Sequence, residues 1–144
     1  MRKWLAGFAM LALVACTQSP QSGIEVKDAW SPAAPPGAAA IAVYAKIVVH
    51  KDDTLLKVSS SRAAVAEVHN TFEEGGMMRM RPVGQLDLKR GEAISLQPGG
   101  MHLMLMGVSE PLAPGAALDV TFHFANAGDV TATAEVTAPG EPAH

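Results

Sequence analysis

Four side chains that could bind a soft metal ion are spaced along the chain as His69-x10-Met80-x21-His102-x-Met104. Six of the eight methionines lie within residues 77–106. Thioether sulfur is soft and uncharged, whereas Mg²⁺ and Ca²⁺ prefer oxygen and structural Zn²⁺ sites mostly use thiolate or histidine. The pattern therefore predicts a metal site, and Cu(I) is the ion that fits it best.

The alternation of a β-strand would bring some of these donors together, because every second side chain points to the same face. In the segment 101–108, Met101 faces away from the three residues His102, Met104 and Met106. Met78 and Met80 share a face in the same way. If the two strands are neighbours, two thioethers and an imidazole converge. His69, at the predicted end of a strand, supplies the fourth donor.

Methionine packing is the alternative interpretation, since a flexible thioether side chain fills gaps in many hydrophobic cores. The pair His102 and Met104 on one strand face favours a ligand set, because a core does not need histidine beside methionine. Met78, Met101 and Met106 are candidates for a secondary copper site or for a docking rim around the metal.

Short segments of alternating polarity, separated by turns rich in glycine and proline, predict an all-β protein. The predicted strands are 24–30, 40–50, 55–59, 64–69, 77–82, 93–96, 101–108, 118–125 and 130–137. Their length and spacing indicate an antiparallel sandwich or barrel with Greek-key connections. The length of 144 residues allows one domain, and the sequence shows neither a repeat nor a second domain, so a single domain is predicted over residues 24–138.

Three further histidines are interpreted as solvent-facing residues rather than ligands. His123 belongs to the polar set of the predicted strand 118–125. His50 lies at a strand end, and His144 is the last residue of the sequence.

The first fifteen residues are typical of a secretory signal, with Arg2 and Lys3 before an apolar run too short to span the ~30 Å hydrocarbon layer. Leu13-Val14-Ala15-Cys16 resembles a bacterial lipobox, so we expect Cys16 to be lipidated and to anchor an exported, periplasmic domain to a membrane. The alternative is ordinary cleavage near Ala15, which leaves Cys16 as a free thiol. Residues 16–23 then form a flexible tether and residues 139–144 a disordered tail.

The charge of the exported chain argues against nucleic acid as a partner. Without Arg2 and Lys3, nine basic and fourteen acidic residues remain, which gives a net charge of −5 with neutral histidines. Nucleic-acid-binding domains carry a basic patch or stripe, and this sequence has none. Attraction to anionic lipid head groups is disfavoured for the same reason.

The donor segments and their flanks resemble the periplasmic copper(I) chaperones of the PCu(A)C family. The segments that carry the resemblance are Val68-His69, Gly76-Met77-Met78-Arg79-Met80-Arg81-Pro82-Val83, and Leu96-Gln97-Pro98-Gly99-Gly100-Met101-His102-Leu103-Met104-Leu105-Met106-Gly107. The spacing His-x10-Met-x21-His-x-Met matches the family's motif at all four positions. Asp28-Ala29-Trp30 and Ala127-Gly128 also agree, so the resemblance covers about residues 24 to 137.

The resemblance implies a cupredoxin-like β-sandwich that binds one Cu(I) through His69, Met80, His102 and Met104. It also implies delivery of copper, in the periplasm, towards cytochrome c oxidase assembly, with Sco-like proteins or the oxidase copper subunit as acceptors. Family members commonly carry an aromatic residue in place of Met101. Many extend into a tail rich in histidine and methionine, whereas the end of this sequence offers only His144. The second, weaker copper site of such a tail is therefore not carried over by the resemblance.

The sequence lacks residues that several other functions require. Blue-copper electron carriers need a cysteine thiolate beside two histidines, and the only cysteine is Cys16. No activated nucleophile, carboxylate pair or phosphate-binding glycine loop indicates an enzyme. A copper-sequestering or resistance lipoprotein and a structural envelope lipoprotein without metal remain alternatives. If the site is correct, copper affinity weakens as pH falls through about 6.5, the reference value of imidazole.

Overall fold

The computed structural model describes residues 23–141. The predictions for the signal segment 1–15, for Cys16, for the tether up to residue 22 and for His144 lie outside these residues. Within the described part, the chain forms ten strands connected by turns. No helix there is long and apolar enough to cross a bilayer.

The strands follow one another closely, as the alternating sequence predicts. Their bounds are β1 Ile24–Pro32, β2 Ala40–Val49, β3 Asp53–Ser59, β4 Ala63–Glu74, β5 Met77–Val83, β6 Leu86–Leu88, β7 Ala93–Leu96, β8 Met101–Val108, β9 Ala117–Phe124 and β10 Gly128–Thr137.

The strands form one hydrogen-bonded sheet in the order β5-β4-β8-β2-β1-β10-β9-β3-β6, and β7 pairs with β2. Strand β2 joins two parts of this sheet. Its residues 40–43 pair with β8, whereas residues 45–48 pair with β7. We call β5, β4, β8 and the first half of β2 the narrow sheet, and the remaining strands with the second half of β2 the wide sheet.

One hydrophobic core fills the space between the two parts. Leu103 and Leu105 from the narrow sheet and Leu118 from the wide sheet are completely buried, and Phe122 from the wide sheet is almost completely buried. Each of these residues alternates with outward-facing neighbours along its strand, as strand geometry requires. The narrow sheet therefore has one face against the core and one face turned outward.

The prediction of an all-β single-core fold is confirmed, and one pairing differs from the predicted antiparallel pattern. Strand β1 runs parallel to β10, with Trp30 opposite Glu135, whereas all other strand pairs are antiparallel. Strand direction across a sheet depends on the path of the connections, which alternation along one strand does not record.

Two elements differ from the predicted strands by more than a shift of one or two residues at an end. Strand β6 is only three residues long, too short for a periodic signal, and pairs with the beginning of β3. Strand β4 does not end at His69 but continues to Glu74 and forms a hairpin with β5 around Gly75 and Gly76. Both glycines have positive φ, of 62° and 77°, as a tight hairpin turn requires. His69 therefore lies in the middle of a paired strand.

Candidate metal centre

The register of β4 against β8 places the two candidate histidines side by side. His69 lies directly opposite His102, and their ring centroids are 6.1 Å apart. Two residues further along, Glu67 lies opposite Met104. Because residues opposite each other in an antiparallel pair share a face, all four side chains lie on the outward face of the narrow sheet.

Met80 reaches the same face from the edge strand β5. It lies opposite Thr71, which is two residues from His69 along β4. Diagonal neighbours on one sheet face are about 7–8 Å apart, within reach of a long side chain. Met80 and Met104 therefore flank the histidine pair on its two sides along the strand direction. The register therefore places the four predicted donors on one face, with each methionine a diagonal neighbour of His69.

Exposure differs sharply among these four side chains. His102 is only 5% exposed, and the side chain of His69 is 15% exposed. Met104 is half-buried, but Met80 is 56% exposed. A metal ion at this position would contact two largely buried imidazole rings and would remain accessible to solvent next to β5.

Each histidine has one ring nitrogen bound to a hydrogen-bond acceptor. The Nδ1 of His102 lies 3.1 Å from the carbonyl oxygen of Gly100, and the Nε2 of His69 lies 3.1 Å from Oε2 of Glu67. The Nδ1 of His69 is buried and has no hydrogen-bond partner among the described residues. Leaving a polar atom in this condition costs about 1–3 kcal/mol, which a metal ion bound there would offset. The donor set therefore fits a metal.

Two aromatic rings cover the side of the site next to β2. The ring of Tyr44 lies 6.4 Å from that of His102, and Trp30 packs against Tyr44 at 4.7 Å between centroids. A bulge in β1 between Lys27 and Trp30, with Asp28 at a φ of 54°, brings Trp30 opposite Tyr44. Burial raises the pKa of Tyr44, so its hydroxyl stays neutral. Alternation along single strands does not predict the contact between these rings and His102, because it depends on the register between strands.

The three additional methionines occupy different positions. Met78 shares the face of Met80 but lies opposite Glu73, two pairs further towards the hairpin turn. Met106 shares the face of Met104 and lies opposite Val65. Met101 instead packs against the hydrophobic core. Met78 and Met106 therefore border the donor cluster, whereas Met101 lies behind it.

The remaining described histidines have partners of their own. Both ring nitrogens of His123 are engaged, with Ser59 Oγ at 2.7 Å and Asp129 Oδ1 at 2.6 Å. His50 lies 3.6 Å from a carboxylate oxygen of Glu25. Within residues 23–141, no group of three or more histidine, cysteine, aspartate or glutamate residues could hold a metal ion. A site with four donors in this part of the chain therefore depends on the thioethers.

Comparison with known proteins gives both a family and a fold. Residues 24–136 match the family model described as "Putative lipoprotein LpqE-like". A protein of Leifsonia xyli subsp. xyli (strain CTCB07), named "Putative lipoprotein Lxx21020", is 30% identical over 118 residues, which cover 79% of this chain and 71% of that protein.

Two solved structures are similar over most of the described residues. The copper-bound PCuAC domain from PmoF2 has a TM-score of 0.67 and 25% identity, covering 81% of this chain and 94% of that domain. The solution structure of CuI-DR1885 from Deinococcus radiodurans has a TM-score of 0.62 and 26% identity, covering 78% of this chain and 77% of that protein. The cupredoxin-like fold and the resemblance to PCu(A)C proteins are thereby confirmed. The chain belongs to the LpqE-like lipoprotein family and has the fold of the PCuAC domains.

Proposed function

We propose that this protein is an exported copper chaperone that binds one Cu(I) ion through His69, Met80, His102 and Met104. The observation that supports the proposal is the strand register, which puts these four side chains on one face of the narrow sheet with each methionine diagonal to His69. The buried and unpartnered Nδ1 of His69 supports a ligand role for that residue. The copper in the similar PCuAC domain of PmoF2 and in DR1885 supports the choice of metal.

The donor chemistry supports Cu(I) as the oxidation state that is carried. Two thioethers and two neutral imidazoles form a soft, uncharged set, whereas Cu(II) favours tetragonal sites of nitrogen and oxygen. Methionine needs no deprotonation to bind and, unlike cysteine, does not form disulfides in an oxidising compartment. The sulfur donors of such a site therefore remain able to bind copper in the oxidising environment outside the cytoplasm.

The difference in exposure supports a carrier that exchanges ligands with an acceptor. His102 is buried within the sheet face, whereas Met80 projects from an edge strand and is mostly exposed. An incoming sulfur or nitrogen donor would displace Met80 first, while the histidines still hold the ion. Release in this order requires no unfolding of the core.

The proposed destination is the assembly of cytochrome c oxidase, with Sco-like proteins or the oxidase copper subunit as acceptors. Lipidation of Cys16 would hold the carrier at the periplasmic face of a membrane, and the lipoprotein names of its relatives support this location. The role is binding and transfer of a metal ion, not catalysis. Sequestration of copper without delivery is the rival function.

An anaerobic Cu(I) titration against a competing chelator tests the site. The wild-type protein should bind one equivalent, and a variant combining Met80→Leu with His102→Ala should bind almost none. His123→Ala is the matched control, because it removes a histidine whose two nitrogens are already engaged. Equal binding by the wild type and the double variant would refute the proposed ligands.

A transfer experiment separates delivery from sequestration. Cu(I)-loaded protein is mixed with the soluble copper domain of an oxidase subunit or with a Sco-like domain, and copper is measured on both after separation. Delivery predicts that copper moves to the acceptor faster than it dissociates into a chelator alone. Copper that stays on the donor with both acceptors would favour sequestration.

A further inference from the structure

We propose that Glu67 is a positioning residue that makes His69 bind copper through Nδ1. The inference rests on the proposed Cu(I) site and adds a residue that the His-x10-Met-x21-His-x-Met pattern does not contain. Glu67 lies two residues before His69 on β4 and therefore shares its face.

The hydrogen bond between these two residues determines the tautomer of the imidazole. Oε2 of Glu67 lies 3.1 Å from Nε2 of His69. An ionised carboxylate only accepts hydrogen bonds, so Nε2 of His69 must carry the proton. In the neutral ring the lone pair then lies on Nδ1, and this atom is buried without a hydrogen-bond partner among the described residues. The one ring nitrogen that can bind a metal is thus also the one that lacks another partner.

His102 is held in the opposite way. Its Nδ1 lies 3.1 Å from the carbonyl oxygen of Gly100, which can only accept, so Nδ1 carries the proton and Nε2 is the available donor. The two facing histidines would therefore use different ring nitrogens. The acceptor for His102 is a backbone atom that substitution does not remove. The acceptor for His69 is a side chain, so its role can be tested by mutation.

The charge of Glu67 adds to its geometric role. Cu(I) with four uncharged donors carries a net charge of +1, and a carboxylate bound to one of the ligands offsets it. Within residues 23–141, the only basic group in ion-pair distance of Glu67 is His69. A carboxylate in this position makes the imidazole a better donor, and loss of such outer partners typically costs 10–100-fold in metal affinity.

Long-range ¹H–¹⁵N spectra of histidine-labelled apoprotein test the tautomer without any metal. Wild-type protein and Glu67→Gln, whose amide oxygen can still accept the bond, should both show His69 protonated at Nε2. Glu67→Leu should lose this preference. Since the side chain of Glu67 is 42% exposed, neither change should prevent folding.

Chelator competition on the same proteins tests the consequence for copper. Glu67→Leu should lose about 10–100-fold in Cu(I) affinity, and Glu67→Gln should retain most of it. Glu73→Leu is the matched control, because it removes a carboxylate from the same face of β4, two residues beyond Thr71, and should change little. On addition of Cu(I), the wild-type ¹⁵N shift of His69 should change most at Nδ1.

Three results would overturn the inference. They are an Nδ1-protonated His69 in the wild-type apoprotein, unchanged affinity in Glu67→Leu, and an equal loss in Glu73→Leu, which would indicate a general charge effect. A wild-type protein that binds one equivalent of Cu(I) while Glu67→Leu behaves identically would refute only the role of Glu67. Failure of the wild type to bind Cu(I) would instead refute the carrier function.

Discussion

Met77 and Met80 offer a comparison at the scale of single residues. They lie on the same edge strand with nearly equal exposure, 58% and 56%, but on opposite faces. Met80→Leu should lower Cu(I) affinity by at least the 10–100-fold that loss of an outer partner costs, because it removes a ligand. Met77→Leu should leave affinity unchanged.

Thermal unfolding of the two apoproteins provides the control for this pair. Methionine and leucine have similar volumes, and both sites are exposed, so neither variant should differ from the wild type by more than about 1.5 kcal/mol. Equal loss of copper affinity in both would mean that the face of β5 is irrelevant and would contradict the ligand assignment.

At this scale the sequence predicts the donors but not their partners. The types and spacing of His69 and Met80 are visible in the chain, because a soft metal requires particular side chains. Glu67 could have been placed on the face of His69 by alternation, but the hydrogen bond depends on side-chain conformation. The neighbouring ring of Tyr44 depends on the register between β2 and β8, which no local pattern specifies.

The hairpin of β4 and β5 is the element that holds Met80 in place. Gly76 in its turn has a φ of 77°, and an added Cβ there would meet nothing within 4 Å. Gly76→Val should therefore cost about 1–2 kcal/mol through backbone strain alone. Hydrogen exchange should speed up in β5, and Cu(I) affinity should fall because Met80 is less ordered.

Gly115→Val is the matched control for the hairpin. Gly115 has a φ of 84° and equally open surroundings, but its amide hydrogen bond joins it to Val136 in the wide sheet. We expect a similar loss of stability without a change in copper affinity. A fall in affinity in both variants would show that global stability, not the position of Met80, controls binding.

A buried carboxylate at the start of β3 stabilises the turn between β9 and β10 through hydrogen bonds. Asp53 accepts hydrogen bonds from the amides of Thr54, Asn126 and Ala127 at 2.7–2.9 Å. Burial alone would raise the pKa of Asp53, but these bonds outweigh it and hold the pKa below its ordinary value. The folded state therefore stabilises the charged carboxylate of Asp53 more than the unfolded chain does.

This depressed pKa fixes the sign of a pH effect on stability. The contribution of Asp53 is fully present above the ordinary pKa of aspartate, about 3.9, and is lost as pH falls through the lower value of the folded state. Asp53→Asn should reduce the free energy of unfolding by about 1–3 kcal/mol at pH 7. Urea denaturation between pH 7 and 2 should show this difference shrinking in acid, and a constant difference would contradict the assignment.

Elements were predicted best where polarity alternates over several residues. The strand containing His123 is such a case, since buried Phe122 and Phe124 flank a polar position. The end of β4 was missed because Asn70 to Glu74 gain their order from pairing with β5, where Arg81 lies 4.7 Å from the centre of the Phe72 ring. Contacts between neighbouring strands are not visible in the alternation of polarity along a single strand.

For the whole molecule, one core supports both sheets, and the proposed copper ligands all lie on the narrow sheet. Phe122 belongs to β9 in the wide sheet, is 1% exposed and stacks with Phe124 at 6.4 Å. Phe122→Ala should reduce the free energy of unfolding by about 3–5 kcal/mol. The fraction that remains folded should bind Cu(I) with wild-type affinity, which titration at low temperature can measure. Loss of binding by folded protein would contradict this separation of stability from function.

The fold class can be predicted from the sequence, but the way in which the strands join into one sheet cannot. Alternation and turn residues predict an all-β domain with one core, because burying the apolar face of each strand requires a second layer. They do not reveal that β2 is shared between two parts of the sheet, or that β1 and β10 are parallel. These features depend on contacts between segments far apart in the chain.

Copper K-edge X-ray absorption of the anaerobic Cu(I)-loaded protein tests the ligand set most directly. We expect two sulfur and two nitrogen neighbours around copper in the wild type, and one sulfur fewer in Met80→Leu. A copper shell without sulfur, or an unchanged sulfur contribution in Met80→Leu, would contradict a site built from His69, Met80, His102 and Met104.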